Sequence, residues 1–303
     1  MSINKVALIG ATGNLGPAIL KALLDADYEV TILSREGSTS TDSLASHPKQ
    51  KIEKVNFEDV DSIASALQGI EGVVSNVASH AILSQKKIID AAVGANVKRF
   101  LPSDFGSDLS VEATKTVPFN MPKVEIHEYL AEKSKTHPGL SYTFVYSGPF
   151  LDWSLKMGLF GDLVTHDMTL WDGGETKVST TTLASVGKAV VGVFKNLEGT
   201  KDKEIRVADT TITQKQIIEI VKEIDGKEWT TKRGDTAEAY QIGLDEMNKP
   251  EPNFGIAIFN QLYRMIFSVE NGPYFEDKLD NEKVGLTVMT PEQVRDVVKA
   301  SMA

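Results

Sequence analysis

Lys5-Val6-Ala7-Leu8-Ile9-Gly10-Ala11-Thr12-Gly13-Asn14-Leu15-Gly16 runs a short apolar strand straight into a Gly-x-x-Gly-x-x-Gly turn. Such a turn lets the backbone approach a pyrophosphate, and the helix it opens offers N–H groups and a positive dipole end to that anion. Gly10 suits a tight strand-to-helix turn, Gly13 leaves room for the phosphates, and Gly16 permits close packing of helix on strand. Downstream, Ala18, Ile19, Ala22, Leu23 and Leu24 recur at helical spacing, and residues 28–33 form a second apolar strand. The turn therefore sits in a βαβ unit of ordinary size, and context of this kind separates a dinucleotide site from an ordinary glycine-rich turn.

The end of the second strand chooses between dinucleotides. An acidic residue there binds the adenosine ribose hydroxyls of NAD, whereas a cation accommodates the extra phosphate of NADP. Here the strand closes on Ser34-Arg35. Arg35 offers a fork of donors to a phosphate and Ser34 adds a hydroxyl, which predicts NADP(H). Glu36 follows at once, and a solvated Arg-Glu pair is the competing reading.

The chain has 303 residues, enough for one large domain or two coupled ones with an ample core. A formal net charge of -10 and the lack of any long basic tract argue against nucleic acid as a partner. With no cysteine, disulfides, thiolate metal sites and cysteine nucleophiles are excluded. The histidines His47, His80, His127, His137 and His166 never pair at metal-ligand spacing, so no metal is expected. The first strand follows Met1 closely and no apolar run reaches membrane-spanning length, which gives the expectation of a cytoplasmic protein without membrane contact.

Strand and helix alternate through the first half. Further strands are expected at 52–57, 72–76, 98–103 and 140–147, with helices over 59–67 and around Ile82, Ile88, Ile89 and Ala92. This alternation predicts an α/β fold, a doubly wound parallel sheet of the Rossmann type. Residues 1–150 form the dinucleotide-binding domain, with part of 178–210 returning to it, and residues 151–303 form a smaller substrate-covering domain. In the second half, helices are expected over 186–194 and 214–224, a strand over 205–208, and a last helix capped by Thr290 with Pro291 in its first position. Ligands of such sheets gather at the carboxyl ends of the strands. Beyond the glycine turn and Ser34-Arg35, that rule marks Asn56 and Phe57, Asn76, Val77 and Ala78, Ser103 and Phe105, and Ser147 and Gly148 as cofactor contacts. Phe57 is equally readable as core.

Two lysine arrangements compete over residues 121–135. Tyr129 and Lys133 have the Tyr-x-x-x-Lys spacing in which a lysine one turn away lowers a tyrosine pKa for proton transfer. Lys123 and His127, four residues apart, share a different helix face. At ~100° per residue Lys123 and Tyr129 point about 120° apart, so one pocket does not use both equally. Phe150, Leu151, Trp153, Met157 and Phe160 either wall an aromatic pocket or fill a core.

The glycine turn, Arg35, Gln85 with Ile88-Ile89-Asp90-Ala91-Ala92, and above all Val97-Lys98-Arg99-Phe100-Leu101-Pro102-Ser103-Asp104-Phe105-Gly106 resemble the isoflavone reductase-like group of atypical short-chain dehydrogenases, which adjoins the NmrA-like regulators. The resemblance covers most of the first half and is loose in the second. It implies NADPH-dependent reduction, with the lysine at the start of the 121–135 helix as the catalytic residue, a position Lys123 matches. His127 stands where the family often carries arginine or another polar residue, and Asp104 where glutamate is common. The mechanism this implies is hydride delivery to a small, aromatic or phenolic substrate, with Lys123 donating or relaying the proton and His127 as a second catalytic candidate. The alternative is a redox-sensing regulator that binds NADP(H), catalyses nothing and reports to a protein partner. A third possibility is reduction of a different ketone or a quinone.

Overall fold

The computed structural model describes residues 2–302. In the first half the strands are β1 (Lys5–Ile9), β2 (Glu29–Arg35), β3 (Gln50–Val55), β4 (Gly72–Ser75), β5 (Arg99–Leu101) and β6 (Ser141–Tyr146). Between them run the helices α1 (Gly16–Asp25), α2 (Val60–Ala66), α3 (Gln85–Gly94), the single turn α4 (Glu112–Lys115) and α5 (Met121–Thr136). The second half contributes α6 (Leu151–Lys156), β7 (Asp167–Trp171), β8 (Val178–Thr180), α7 (Leu183–Lys195) and β9 (Lys203–Arg206). It continues through β10 (Thr210–Ile212), α8 (Gln214–Asp225), β11 (Thr230–Gly234), α9 (Thr236–Met247), α10 (Phe254–Phe267) and α11 (Pro291–Ser301).

Seven strands form one parallel sheet in the order β3-β2-β1-β4-β5-β6-β9, the doubly wound Rossmann arrangement. Strands such as β4, buried along its whole length, read as apolar runs because helices cover both faces of the sheet. On one face Ile19 and Leu23 of α1 and Val190 and Val193 of α7 pack with Val6 and Leu8. Gly187 allows the two helices to close, since a Cβ there would lie 2.5 Å from the Ala18 carbonyl oxygen. The other face is covered by α2, α3 and α5 through Ile63, Ile88, Ile89, Ile126 and Leu130. A third buried cluster joins Leu151, Phe160, Met168, Ile217, Phe267 and Val298 of the second half.

Element ends differ from the sequence expectation for local reasons. β5 stops at Leu101 because Pro102 has no N–H to continue the ladder. Asp59 caps α2, so the helix itself begins at Val60; the Asp59 carboxylate accepts the Asp61 N–H at 3.0 Å. The Ser62 hydroxyl instead takes the Asn56 N–H. Ile82 lies in a 3₁₀ turn (Ser79–Ser84) ahead of α3. Thr290 caps the last helix as expected, through a reciprocal capping box with Gln293 and with Pro291 in the first turn.

Candidate active site

Because every strand of the sheet runs the same way, all the loops marked from sequence meet along one edge. The order reverses between β1 and β4, and the glycine turn opens at that switch point. Gly10 has φ +79°, and a Cβ there would lie 2.0 Å from the Asn76 carbonyl oxygen. Asn76 returns the contact, its side-chain amide donating to the Gly10 carbonyl at 3.2 Å and its backbone N–H to Ile9 at 3.0 Å. Gly16 is equally confined, with a Cβ placed 2.2 Å from the Gly10 carbonyl oxygen. Gly13 differs: a Cβ there would have nothing closer than 3.5 Å, and Thr12, Gly13 and Asn14 are exposed. Ala11 and Leu15 are buried beneath them. Two glycines thus build the turn while the third keeps its outer side open, the cradle a phosphate requires. The first turn of α1 holds no acidic residue to oppose an anion.

Arg35 ends β2 exposed to solvent and forms no ion pair with Glu36; among the described residues its guanidinium has no partner. The competing Arg-Glu pair is therefore not formed. A second cation stands at the same corner. Lys54, in register with Ser34 across β2 and β3, donates to the Ser34 hydroxyl at 3.4 Å, to the Thr41 hydroxyl at 3.2 Å and to the Ser38 carbonyl. Sequence reading missed it because the lysine lies a strand away, although parallel pairing of the two strands brings it there. Asn56 follows β3 exposed, and Phe57 is half-buried against the α2 side of the core.

The loops after β4 and β5 are tied together. Ser103 donates its hydroxyl to the Val77 carbonyl at 2.9 Å and its N–H to the Gln85 side chain at 2.9 Å, while Ala78 is exposed. Phe105 turns into the core on the α1 side. Ser147 and Gly148 both donate their N–H groups to the Gly106 carbonyl, which pins the β6 loop to the β5 loop. Gly148 has φ +59°, where a Cβ would lie 2.0 Å from the Ser179 carbonyl oxygen.

Against Gly106 stands Lys123, in the first turn of α5; a Cβ on Gly106 would be 3.8 Å from its Nζ. The ammonium donates to the Asp104 carbonyl oxygen at 3.2 Å. Burial pushes the Lys123 pKa below its ordinary value, and the neighbouring Asp104 charge offsets this only in part. One turn on, His127 places Nε2 2.8 Å from Oδ2 of Asp104. Its ring lies flat on Phe144, with centroids 3.6 Å apart and 4° between the planes. Asp104 is 1% exposed, and its other carboxylate oxygen is buried without a partner. Sequence reading marked Asp104 only as a departure from the family pattern, and its link to both Lys123 and His127 is a product of the fold.

Tyr129 and Lys133 point elsewhere. Both contact Oδ1 of Asp90 on α3, at 2.7 and 2.6 Å. Burial and Asp90 raise the Tyr129 pKa, the opposite of what proton transfer by tyrosine requires. The aromatic group after β6 divides likewise: Leu151 and Phe160 belong to the third core, whereas Met157 is exposed and Phe150 and Trp153 are half-buried. The second half also holds the start of α5. The Phe119 N–H donates to Gln261 of α10 at 3.1 Å, and the Asn120 side chain donates to Sδ of Met265, also on α10, at 3.0 Å. Among the described residues no cluster of His, Asp or Glu is arranged to hold a metal ion, and no helix is long and apolar enough to cross a membrane.

The profile of the NmrA-like family matches residues 2–294. Oxidoreductase aprR of Aspergillus flavus is 33% identical over 248 residues, covering 81% of this chain and 82% of that protein. The bifunctional pinoresinol-lariciresinol reductase 2 of Thuja plicata is 25% identical over 287 residues, covering 89% and 91%. Among solved structures, an NADPH-dependent quinone oxidoreductase of Escherichia coli in complex with NADPH superposes with a TM-score of 0.75 at 19% identity, covering 98% of this chain and 100% of that one.

Proposed function

The chain belongs to the NmrA-like family, and from that premise we propose that it is an NADPH-dependent oxidoreductase acting on a small aromatic, phenolic or quinone-like substrate. The observation that carries this reading is the desolvated Lys123 ammonium, held on the Asp104 carbonyl at the same sheet edge as the glycine turn. A regulator that only binds a dinucleotide has no need of a desolvated ammonium there; the lysine as a whole is half-buried. The open side of Gly13 and the unpaired Arg35 fit the pyrophosphate and the adenosine phosphate of NADP(H), with Lys54 adding a second positive charge. When bound, the dinucleotide supplies a hydride.

Reduction also needs a proton, or stabilisation of negative charge on a substrate oxygen. Lys123 fills that role: its burial eases proton loss, and an amine of depressed pKa is a better acid near neutral pH. We read His127, one turn away on the same face and held by Asp104, as the relay that restores the proton. We read residues 151–303 as the unit that covers the substrate, with β9 returned to the sheet edge and α10 bracing the start of α5.

The test is a fluorescence titration of the purified protein with NADPH and NADH, followed by a panel of quinones and phenolic ethers added to the tighter complex. Selective NADPH binding with turnover of one class supports the reading. Tight binding with no turnover across the panel points to the sensing alternative, and no binding of either dinucleotide overturns both.

A further inference from the structure

Lys123 and His127 lie one helical turn apart, but a shared helix face does not aim two long side chains. What both touch is one residue of the β5 loop. We propose that Asp104 is the positioning residue of the site: its carbonyl oxygen fixes the Lys123 ammonium and its carboxylate fixes the His127 ring. This rests on the reading of Lys123 and His127 given above.

Three observations carry it. The Lys123 Nζ sits 3.2 Å from the Asp104 carbonyl oxygen, and the His127 Nε2 sits 2.8 Å from Oδ2. The carboxylate is 1% exposed, so water does not compete for it. Its Oδ1 has no partner, so the His127 bond is its single described hydrogen bond and the pair is not diluted by others. A carboxylate is an acceptor, so it takes a proton-bearing Nε2 and selects that tautomer. The stacked Phe144 ring fixes the imidazole plane from the side.

The loop carrying Asp104 is itself braced. Arg206, at the end of β9, donates to Asp108 through Nε at 2.5 Å and through Nη2 at 3.1 Å. It also bonds Glu204 and Ser110, and its guanidinium lies 5.4 Å from the Tyr146 ring. Burial pushes the Asp108 carboxyl up, but the bonds from Arg206 and Ser110 outweigh it and hold the group ionised. His127 is the titratable partner of Asp104, and Asp104 is the charge that acts on Lys123; Asp104, Asp108, Glu204 and Arg206 all act on the neighbouring Tyr146 phenol of β6. Tyr146, driven far up by burial, stays neutral throughout.

Asp104→Asn preserves size but not charge or acceptor character. The amide accepts from one tautomer of His127 and donates to the other, so the ring is no longer committed. Two readouts follow that do not depend on activity. First, ¹⁵N spectra of histidine-labelled protein, with His127 assigned through His127→Asn, report which nitrogen carries the proton. Second, the pH dependence of Lys123 acylation, followed peptide by peptide by mass spectrometry, reports its titration. In the wild type Nε2 of His127 carries a proton. In Asp104→Asn the ring signal becomes a tautomer mixture, and Lys123 titrates at lower pH and acylates several-fold faster near neutrality, because a favourable charge is gone.

A bare Nε2 in the wild type overturns the proposal, even if Asp104→Asn fails to fold. So does a folded Asp104→Asn in which neither the His127 signal nor the Lys123 titration moves. If turnover survives Lys123→Met, the functional reading fails while these two readouts still report on Asp104. If turnover is lost in Lys123→Met but the readouts do not move in Asp104→Asn, the positioning role fails and the functional reading stands.

Discussion

Replacing Arg35 with alanine isolates the discrimination between NADPH and NADH. The guanidinium ends β2 in solvent and has no hydrogen bond or ion pair to any described residue, so the substitution breaks nothing within the protein. The thermal midpoint of the cofactor-free protein is therefore expected to stay put, as for surface positions without a special role. Binding is another matter. One charge-assisted hydrogen bond to a phosphate contributes about 1.5–3 kcal/mol. At about 1.4 kcal/mol per decade, that predicts NADPH affinity lower by about tenfold to about 150-fold. NADH lacks the phosphate and keeps its affinity. Titrating both dinucleotides into both proteins by fluorescence, at one fixed ionic strength, measures the ratio directly. If NADPH affinity is unchanged, or NADH affinity falls as far, Arg35 does not read the phosphate and the assignment is wrong. Lys54→Gln gives a smaller loss, because that lysine already spends its protons on Ser34, Thr41 and the Ser38 carbonyl.

Other outcomes follow from the same geometry. Gly13→Val places its Cβ at ordinary contact distance, 3.5 Å from the Gly10 carbonyl oxygen, so stability should stay within about 0.5 kcal/mol while dinucleotide binding collapses in the same titration. Gly16→Ala drives a methyl group against the Gly10 carbonyl and should cost about 1–3 kcal/mol in chemical denaturation. Lys123→Met should lower turnover by about 10²–10⁴-fold. The pH dependence has a definite sign. With the folded Lys123 pKa held below its ordinary 10.5, the unfolded chain binds more protons between the two values. Stability contributed at this site therefore rises with pH through that window, and the slope disappears in Lys123→Met. Tyr129→Phe should leave turnover unchanged and cost about 0.5–1.5 kcal/mol, since its hydroxyl serves Asp90 and Lys133 away from the strand ends.

Local chemistry made much of this legible in the sequence. The glycine turn was legible from its spacing, and Gly16 is confined by the turn itself, through the Gly10 and Ala11 carbonyls, whereas Gly10 is confined by Asn76, which only the pairing of β1 with β4 brings there. Parallel alternation then put every strand end on one edge. What could not be read were contacts made across strands and helices. Arg35 and Glu36 look like a pair in the chain, yet no ion pair forms between them. Tyr129 and Lys133 carry a catalytic spacing, but α3 supplies Asp90 and draws both away from the strand ends. Lys54 reaches Ser34 only through the register of β2 with β3, and Asp104 gathers Lys123 and His127 only once the β5 loop meets α5. The hairpin of α9 and α10 escaped reading as helices because their aromatic residues do not form one apolar stripe. Phe254 and Ile256 of α10 face solvent, while Gln261 is buried to hold Phe119.

The central claim is that hydride passes from NADPH to a substrate beside Lys123. It is tested most directly with NADPH deuterated at both positions of nicotinamide C4, incubated with the protein and a responsive compound that is reduced at carbon, such as a phenolic benzylic ether, with the product weighed by mass spectrometry. The account predicts a reduced product carrying one deuterium from the wild-type protein, and little or none from Lys123→Met. A reduced product without deuterium, or equal deuterated product from both proteins, would contradict it.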